Sequence, residues 1–231
     1  MRNAEHPRAP GRSATGVLLA GGAGRRLGLG PKALLRFRGR PLVEAVATTL
    51  RDGGCREVVV VLGAGASDVE AATNLDGFRV VTNAHWETGM GSSFLLGNQS
   101  ADPADHLLVA LVDQPGLTGE TVARLLARHR EGRITAAAYR PAMTEAGLPD
   151  NRGREGHEWD GGNRGQSGRL QRGHPLLIDA SLREAVCATV TGDAGARGFL
   201  RAHPDLVDVV DCSDQSSGED VDTPDQLGLL R

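Results

Sequence analysis

A chain of 231 residues is long enough for one domain with a proper core. Its 26 basic and 29 acidic residues leave a net charge of −3, which excludes bulk binding to nucleic acid or to a membrane surface. No apolar run approaches the roughly 18 residues that span a bilayer, and with aromatics at 3% and 32 glycines, small side chains must do much of the packing.

The opening MRNAEHPRAPGRSAT is basic and lacks the apolar core of a secretory leader, so residues 1–13 read as a disordered tail and the cytoplasm is the expected compartment. Gly16 to Ala20 is a short apolar run that stops at glycines and predicts a buried strand. Pro41 to Leu50 predicts a helix with proline in its first turn, and the β-branched run Glu57 to Gly63 a strand. Ser67 to Asn74 reads as a short helix with Ser67 or Asp68 near its N-cap, and Phe78 to Asn83 as a third strand. GMGSSFLLGNQ, from Gly89, reads as a loop entering a helix. His106 to Asp113 predicts another buried strand, Thr118 to His129 a helix capped at Thr118, and Arg133 to Tyr139 a strand. From Met143 to Gln171 the chain is rich in Gly, Asn and Arg without periodicity, and reads as a flexible insert, either disordered or a lid. Pro175 to Ile178 predicts a strand, Ser181 to Ala188 and Ala196 to Ala202 helices, and Asp205 to Asp211 the last strand. Strands alternating with helices predict an α/β domain over residues 14–231, with a mostly parallel sheet and helices on both faces. Cys55, Cys187 and Cys212 are odd in number and far apart, so neither a disulfide framework nor a cysteine zinc site is expected.

The first strand runs into VLLAGGAGRRLGLGPKALL, Val17 to Leu35. Glycines let backbone N–H groups approach anionic oxygens, and two arginines and a lysine add charge, so this loop reads as a phosphate cradle. It is neither standard motif. Leu27 stands where the dinucleotide fingerprint needs glycine, and Lys32 lies between Pro31 and Ala33 where a P-loop needs Gly-Lys-Ser/Thr. Asp113 follows an apolar strand, at the sheet edge where open α/β folds bind ligands, although an aspartate before Gln-Pro also forms simple turns. Asp222 lies in the loop after the last strand, or at the N-cap of a helix starting near Thr223-Pro224.

LAGGAGRRLGLGPKALL resembles the first loop of the MobA-like nucleotidyltransferases, the group of the molybdenum cofactor guanylyltransferases and cytidylyltransferases. Five further segments resemble that family and stand in its order: ETGMGSSFLLG from Glu87, ALVDQP from Ala110, RGHPLLI from Arg172, TGDAGARGFL from Thr191 and DVDTPDQL from Asp220. The Gly-His-Pro and Gly-Asp-Ala-Gly-Ala-Arg elements are similar to the cytidylyltransferase branch, while Ala20-Gly21-Gly22 is similar to the guanylyltransferase pattern, so the base stays open between CTP and GTP.

The resemblance implies a single-domain, Rossmann-like three-layer α/β/α sandwich, and transfer of a nucleoside monophosphate onto a phosphorylated acceptor with release of pyrophosphate. Molybdopterin is the leading acceptor, and a molybdoenzyme or its chaperone the implied protein partner. Leu19, Ala20, Gly21, Gly22, Gly24 and Arg25 would bind the nucleotide, with Arg26 and Lys32 on its phosphates, though Arg25 equally reads as a solvated neighbour. Asp113 and Asp222 would hold Mg²⁺. Ser92 and Ser93 would meet the base or cap the following helix. His174, Asp193 and Arg197 would touch the acceptor, or serve a strand start and a tight turn. Two other readings stand beside this one: sugar-phosphate nucleotidylyl transfer, and an NAD(P)H-dependent reductase resembling nicotine blue oxidoreductase. Against the reductase, Glu44 lies about 20 residues after Gly24 but inside a predicted helix, not at the strand end where a ribose-binding acid belongs.

Overall fold

Strand β1 (Ala14–Ala20) is apolar but for Thr15, and all of its residues are buried. Such a strand needs neighbours on both edges and cover on both faces, and it has them. The structure, a computed structural model, describes residues 13–140 and 170–231. After β1 come the glycine loop, a 3₁₀ turn at Lys32–Leu34 and a small hairpin of β2 (Arg36–Phe37) and β3 (Arg40–Pro41). Then follow α1 (Leu42–Asp52), β4 (Glu57–Leu62), α2 (Ala66–Ala72), β5 (Arg79–Thr82), α3 (Met90–Ser100) and β6 (His106–Leu111). The second half holds α4 (Gly119–Arg128), β7 (Ile134–Tyr139), β8 (Gln171–Ile178), α5 (Arg183–Cys187), α6 (Arg197–Ala202) and β9 (Val207–Asp211), closed by a 3₁₀ turn at Pro224–Leu230.

The seven long strands form one sheet in the order β5-β4-β1-β6-β8-β7-β9. Every neighbouring pair is parallel except those made by β8, which runs antiparallel to both β6 and β7. Alternation along the strands splits the core in two. Leu18, Val58, Val60, Leu62, Leu108 and Ala110 pack in one cluster with Leu42, Val46 and Leu50 of α1, Val69 of α2 and Val122 of α4. Val17, Leu19, Val59, Val61, Leu107 and Val109 pack in the other with Phe94 of α3, Val186 of α5 and Phe199 of α6. This is the expected three-layer sandwich.

The strand order places the site. From β1 the chain moves outward through β4 to β5, then returns to lay β6 on the other edge of β1. The crevice at the carboxyl ends of β1 and β6 is therefore the topological switch point, where open α/β sheets take their ligands.

Several expectations need correction. The strand expected at Pro175–Ile178 begins at Gln171, which pairs with Tyr139, so Gln171 belongs to the sheet and not to an insert. The rest of that expected insert, apart from Leu170, and the expected tail, apart from Ser13, lie outside the described residues. The cap of α2 is Gly65 and not Ser67 or Asp68; its φ is +62°, and a Cβ there would meet Pro31 Cγ at 2.7 Å. The helix expected at Ser181–Ala188 opens as a 3₁₀ turn held by Asp179. Thr118 does cap α4, its hydroxyl accepting the Thr121 N–H at 3.1 Å.

Helix α3 lies backbone-close on β1 at Gly97, where a Cβ would stand 2.4 Å from Val17 Cγ1. Gly97→Val should overfill this contact and cost about 1–3 kcal/mol of stability. Urea denaturation measures it, and a variant as stable as the parent would contradict the packing.

Candidate functional site

The loop after β1 is shaped by Gly24. Its φ of +61° turns the chain back so that Leu27 and Gly28 donate to its carbonyl at 3.1 Å, and a Cβ would lie 2.2 Å from the Gly30 carbonyl oxygen. The N–H groups from Gly22 to Arg26 donate to no backbone carbonyl among the described residues. They are available to an anion, and Gly22 has open space around it. Leu19 and Ala20 are buried at the end of β1. Gly21 approaches the backbone of Gly63 at the end of β4, and a Cβ at Gly21 would sit 3.4 Å from Ser93 Oγ.

Lys32 opens the 3₁₀ turn that ends this loop. Its Nζ donates to Asp113 Oδ2 at 2.7 Å and to Asp222 Oδ1, and only 12% of its side chain is exposed. Burial opposes the lysine charge, but Asp113 and Asp222 outweigh it and hold the ammonium above its usual range. Asp113 follows β6, and its carbonyl accepts the Val221 N–H at 2.8 Å, which draws the C-terminal segment over the crevice. Beyond it, Gln226 Oε1 accepts the N–H groups of Asp222 and Thr223 at 2.8 and 3.0 Å, fixing Asp222 just before the capped 3₁₀ turn. Arg26, largely exposed, stands 3.9 Å from Asp222 Oδ2. Asp113 Oδ1 is buried without a hydrogen-bond partner among the described residues.

A third carboxylate completes the cluster. Asp220 is buried and accepts from Gln114 Nε2 at 2.7 Å. Burial, together with the charges of Asp113 and Asp222, pushes it up to about 7. Three carboxylates around one ammonium leave excess negative charge, and the donors are all oxygen. With Asp113 Oδ1 unpartnered, the cluster fits a hard divalent cation.

The opposite wall of the crevice is the start of α3. Asn83 Nδ2 donates to Ser92 Oγ at 2.8 Å and Ser93 Oγ at 2.9 Å, and the Ser92 hydroxyl donates back to the Gly89 carbonyl at 2.8 Å. Neither serine caps the helix, as had been one expectation. Gly89 is the N-cap, and the Met90 N–H is met at 3.0 Å by Asp193 Oδ1 from the Thr191–Arg197 turn. Arg197 Nη2 donates to the Asp193 carbonyl at 2.7 Å, within the same turn. His174 and Arg197 also line one apolar recess with Leu19, Met90, Phe94 and Leu176. Arg25 places its guanidinium 5.9 Å from the Trp86 ring centre.

Lys32, Asp113, Asp222 and Arg26 thus converge, with Ser93 facing Gly21 across the crevice. Asp220, Gln114 and Asn83 were not singled out from sequence. Asp220 did stand inside the motif DVDTPDQL, two residues before Asp222, and that spacing was the available signal.

A family model described as the MobA-like NTP transferase domain matches residues 16–207. The chain belongs to the MobA-like NTP transferase family. It is an enzyme of nucleotidyltransferase type, and the family takes nucleoside triphosphates. It is 55% identical to a nicotine blue oxidoreductase of Paenarthrobacter nicotinovorans over 216 residues, 94% of this chain and 95% of that one. It is 28% identical to a molybdenum cofactor guanylyltransferase of Xanthomonas euvesicatoria over 221 residues, 94% and 93% of the two chains. Among solved structures, a nucleotidyl transferase from Methanothermobacter superposes with a TM-score of 0.73 at 23% identity, covering 95% of this chain and 97% of that one, and so shares the fold. No helix among the described residues is long and apolar enough to cross a membrane.

The raised Asp220 carboxyl has a consequence for this MobA-like chain. A native state that keeps a proton from 3.8 up to about 7 binds more protons than the unfolded chain across that window. Stability therefore falls as pH rises through it. In chelator, Asp220→Asn should remove this decline: equal to wild type well below 3.8, where the aspartate is neutral folded and unfolded, and more stable at pH near 8. Urea midpoints across pH measure it, and a variant with the parental decline would assign the pH dependence elsewhere.

Proposed function

We propose that this MobA-like enzyme moves a nucleoside monophosphate from CTP or GTP onto a phosphorylated acceptor, with molybdopterin as the leading acceptor, and releases pyrophosphate. One observation carries the reading: a buried lysine closes on two aspartates at the switch-point crevice, directly beside a glycine loop with free N–H groups.

The chemistry needs no covalent nucleophile. An acceptor phosphate oxygen attacks the α-phosphorus in line, and the bond to pyrophosphate breaks; the protein supplies position and charge. The loop from Gly21 to Arg26 receives the triphosphate on its N–H groups. Lys32 neutralises charge at the α-phosphate and Arg26 charge on the leaving side. Asp113 and Asp222 would hold Mg²⁺, which would supply Lewis-acid charge neutralisation to the nucleotide phosphates. Gly21 and Ser93 would bound the space beside the base; a Cβ at Gly21 would stand 3.4 Å from Ser93 Oγ and from the Gly63 backbone. His174 and Arg197, beside Leu19 and Met90, are the side chains offered to an anionic acceptor, with Asp193 holding the turn that carries Arg197. The guanylyltransferase relative supports both the acceptor and GTP.

A second reading rests on the 55% identity to a nicotine blue oxidoreductase: reduction of a quinonoid dye by NAD(P)H. Both readings place a nucleotide pyrophosphate in the same loop, and they differ in what leaves. Pyrophosphate release from CTP and GTP in Mg²⁺, with and without molybdopterin, should be run beside loss of nicotinamide absorbance with a blue quinonoid dye. Transfer predicts pyrophosphate release that Asp113→Asn and Asp222→Asn each largely abolish, and that Lys32→Ala lowers in kcat more than it raises KM. Dye-dependent NAD(P)H oxidation without pyrophosphate release overturns transfer in favour of the reductase.

A further inference from the structure

At the end of the sheet opposite the crevice, three side chains meet that nucleotidyl transfer does not use. His106 opens β6, His129 follows the last residue of α4, and Asp179 follows the last residue of β8. The pairing of Leu107 with Ile178 brings the first and third side by side. All three side chains are more than nine-tenths buried. The length of β6 and its exit, roughly 20 Å, separates them from Asp113.

Asp179 lies between the two imidazoles. Asp179 Oδ1 accepts the Ser181 N–H at 2.9 Å and the Ser181 hydroxyl at 2.6 Å. Its Oδ2 points inward, 3.3 Å from His106 Nδ1 and 3.5 Å from His129 Nε2. The Ala180 N–H donates to His106 Nδ1 at 3.1 Å, so that nitrogen is unprotonated, and a bound ion would take its lone pair in place of this bond. His129 Nδ1 is engaged with the Thr135 hydroxyl at 2.9 Å. His129 Nε2 and Asp179 Oδ2 are buried and lack hydrogen-bond partners among the described residues. A buried carboxylate oxygen without a hydrogen-bond partner, beside two imidazole nitrogens, is a place for a positive charge.

The spacing selects the kind of charge. Around a tetrahedral ion with bonds of about 2.0–2.1 Å, ligand atoms stand about 3.3–3.4 Å apart. The observed 3.3 and 3.5 Å are that spacing. Two imidazoles and a carboxylate are donors for zinc-class ions, unlike the all-carboxylate crevice. The Thr135 and Ser181 hydroxyls stand behind them as the outer bonds that orient metal ligands.

We propose that His106, His129 and Asp179 bind a transition-metal dication of the zinc class, with water in the fourth position, which ties the ends of β6, β8 and α4 together. The site is structural and independent of the nucleotide crevice.

The test uses the full chain carrying Asp222→Asn, which removes one of the three crevice carboxylates. After dialysis against Zn²⁺ and then metal-free buffer, elemental analysis should find one zinc per chain. A strong chelator should lower the melting temperature by several degrees and added Zn²⁺ restore it. Cobalt loading should give the visible bands of a tetrahedral ion, and adding His129→Gln should abolish zinc retention. No retained zinc, a melting temperature indifferent to chelator and Zn²⁺, or equal retention in the His129→Gln variant overturns the proposal. The chelator response needs no mutation at the site, so it decides even if that variant fails to fold.

Discussion

The ammonium of Lys32, held between Asp113 and Asp222, is the contact on which the crevice depends. It joins the end of the first loop to the exit of β6 and to the C-terminal segment, partners 81 and 190 positions away. Carboxylates this sheltered need a counter-charge, and removing one member would strand the others in a poor dielectric. The lysine reaches them because Gly24 folds the loop back and the 3₁₀ turn at Lys32 then aims the side chain into the sheet. The Asp113–Val221 backbone bond carries the other half of the arrangement, so that the last segment closes over the strand end. The acidic surplus left by Asp220 is what a cation and an anionic nucleotide would together resolve.

The sheet makes this geometry rigid. Parallel strands β4, β1 and β6 end together, and their side chains alternate between two clusters, so neither face can slip without exposing a row of valines and leucines. Helix α3 is pressed on β1 at Gly97 and pinned at its start by the Thr191–Arg197 turn, through the Asp193 carboxylate and the Gly192 carbonyl. The turn near the C-terminus thereby sets the position of Ser92 and Ser93 beside the loop. Glycine at 21, 22 and 24 keeps this stretch of the loop free of side chains.

Much of this was legible in the sequence. Apolar runs ending in glycines place the strands, Thr118 marks its helix, and the order of the family-like segments points to Lys32, Asp113 and Asp222. What escaped was whatever depends on partners far along the chain. The direction of β8 is invisible in a short apolar run, because buried parallel and antiparallel strands share one pattern. Asp220 reads as another polar loop residue until the fold buries it against Gln114. Asn83 is a strand-end asparagine until α3 brings two serines to its amide. His106, His129 and Asp179 belong to three different elements, and only the register between β6 and β8 assembles them.

The central claim is that this crevice receives a nucleoside triphosphate through Lys32 and a divalent cation through Asp113 and Asp222. Calorimetric titration of GTP and of CTP into wild type and Lys32→Ala, with Mg²⁺ and with chelator, tests it most directly. The account predicts saturable binding of at least one of the two nucleotides that needs Mg²⁺ and weakens sharply in the variant. Binding of NADPH alone, with neither triphosphate bound in Mg²⁺, would contradict it.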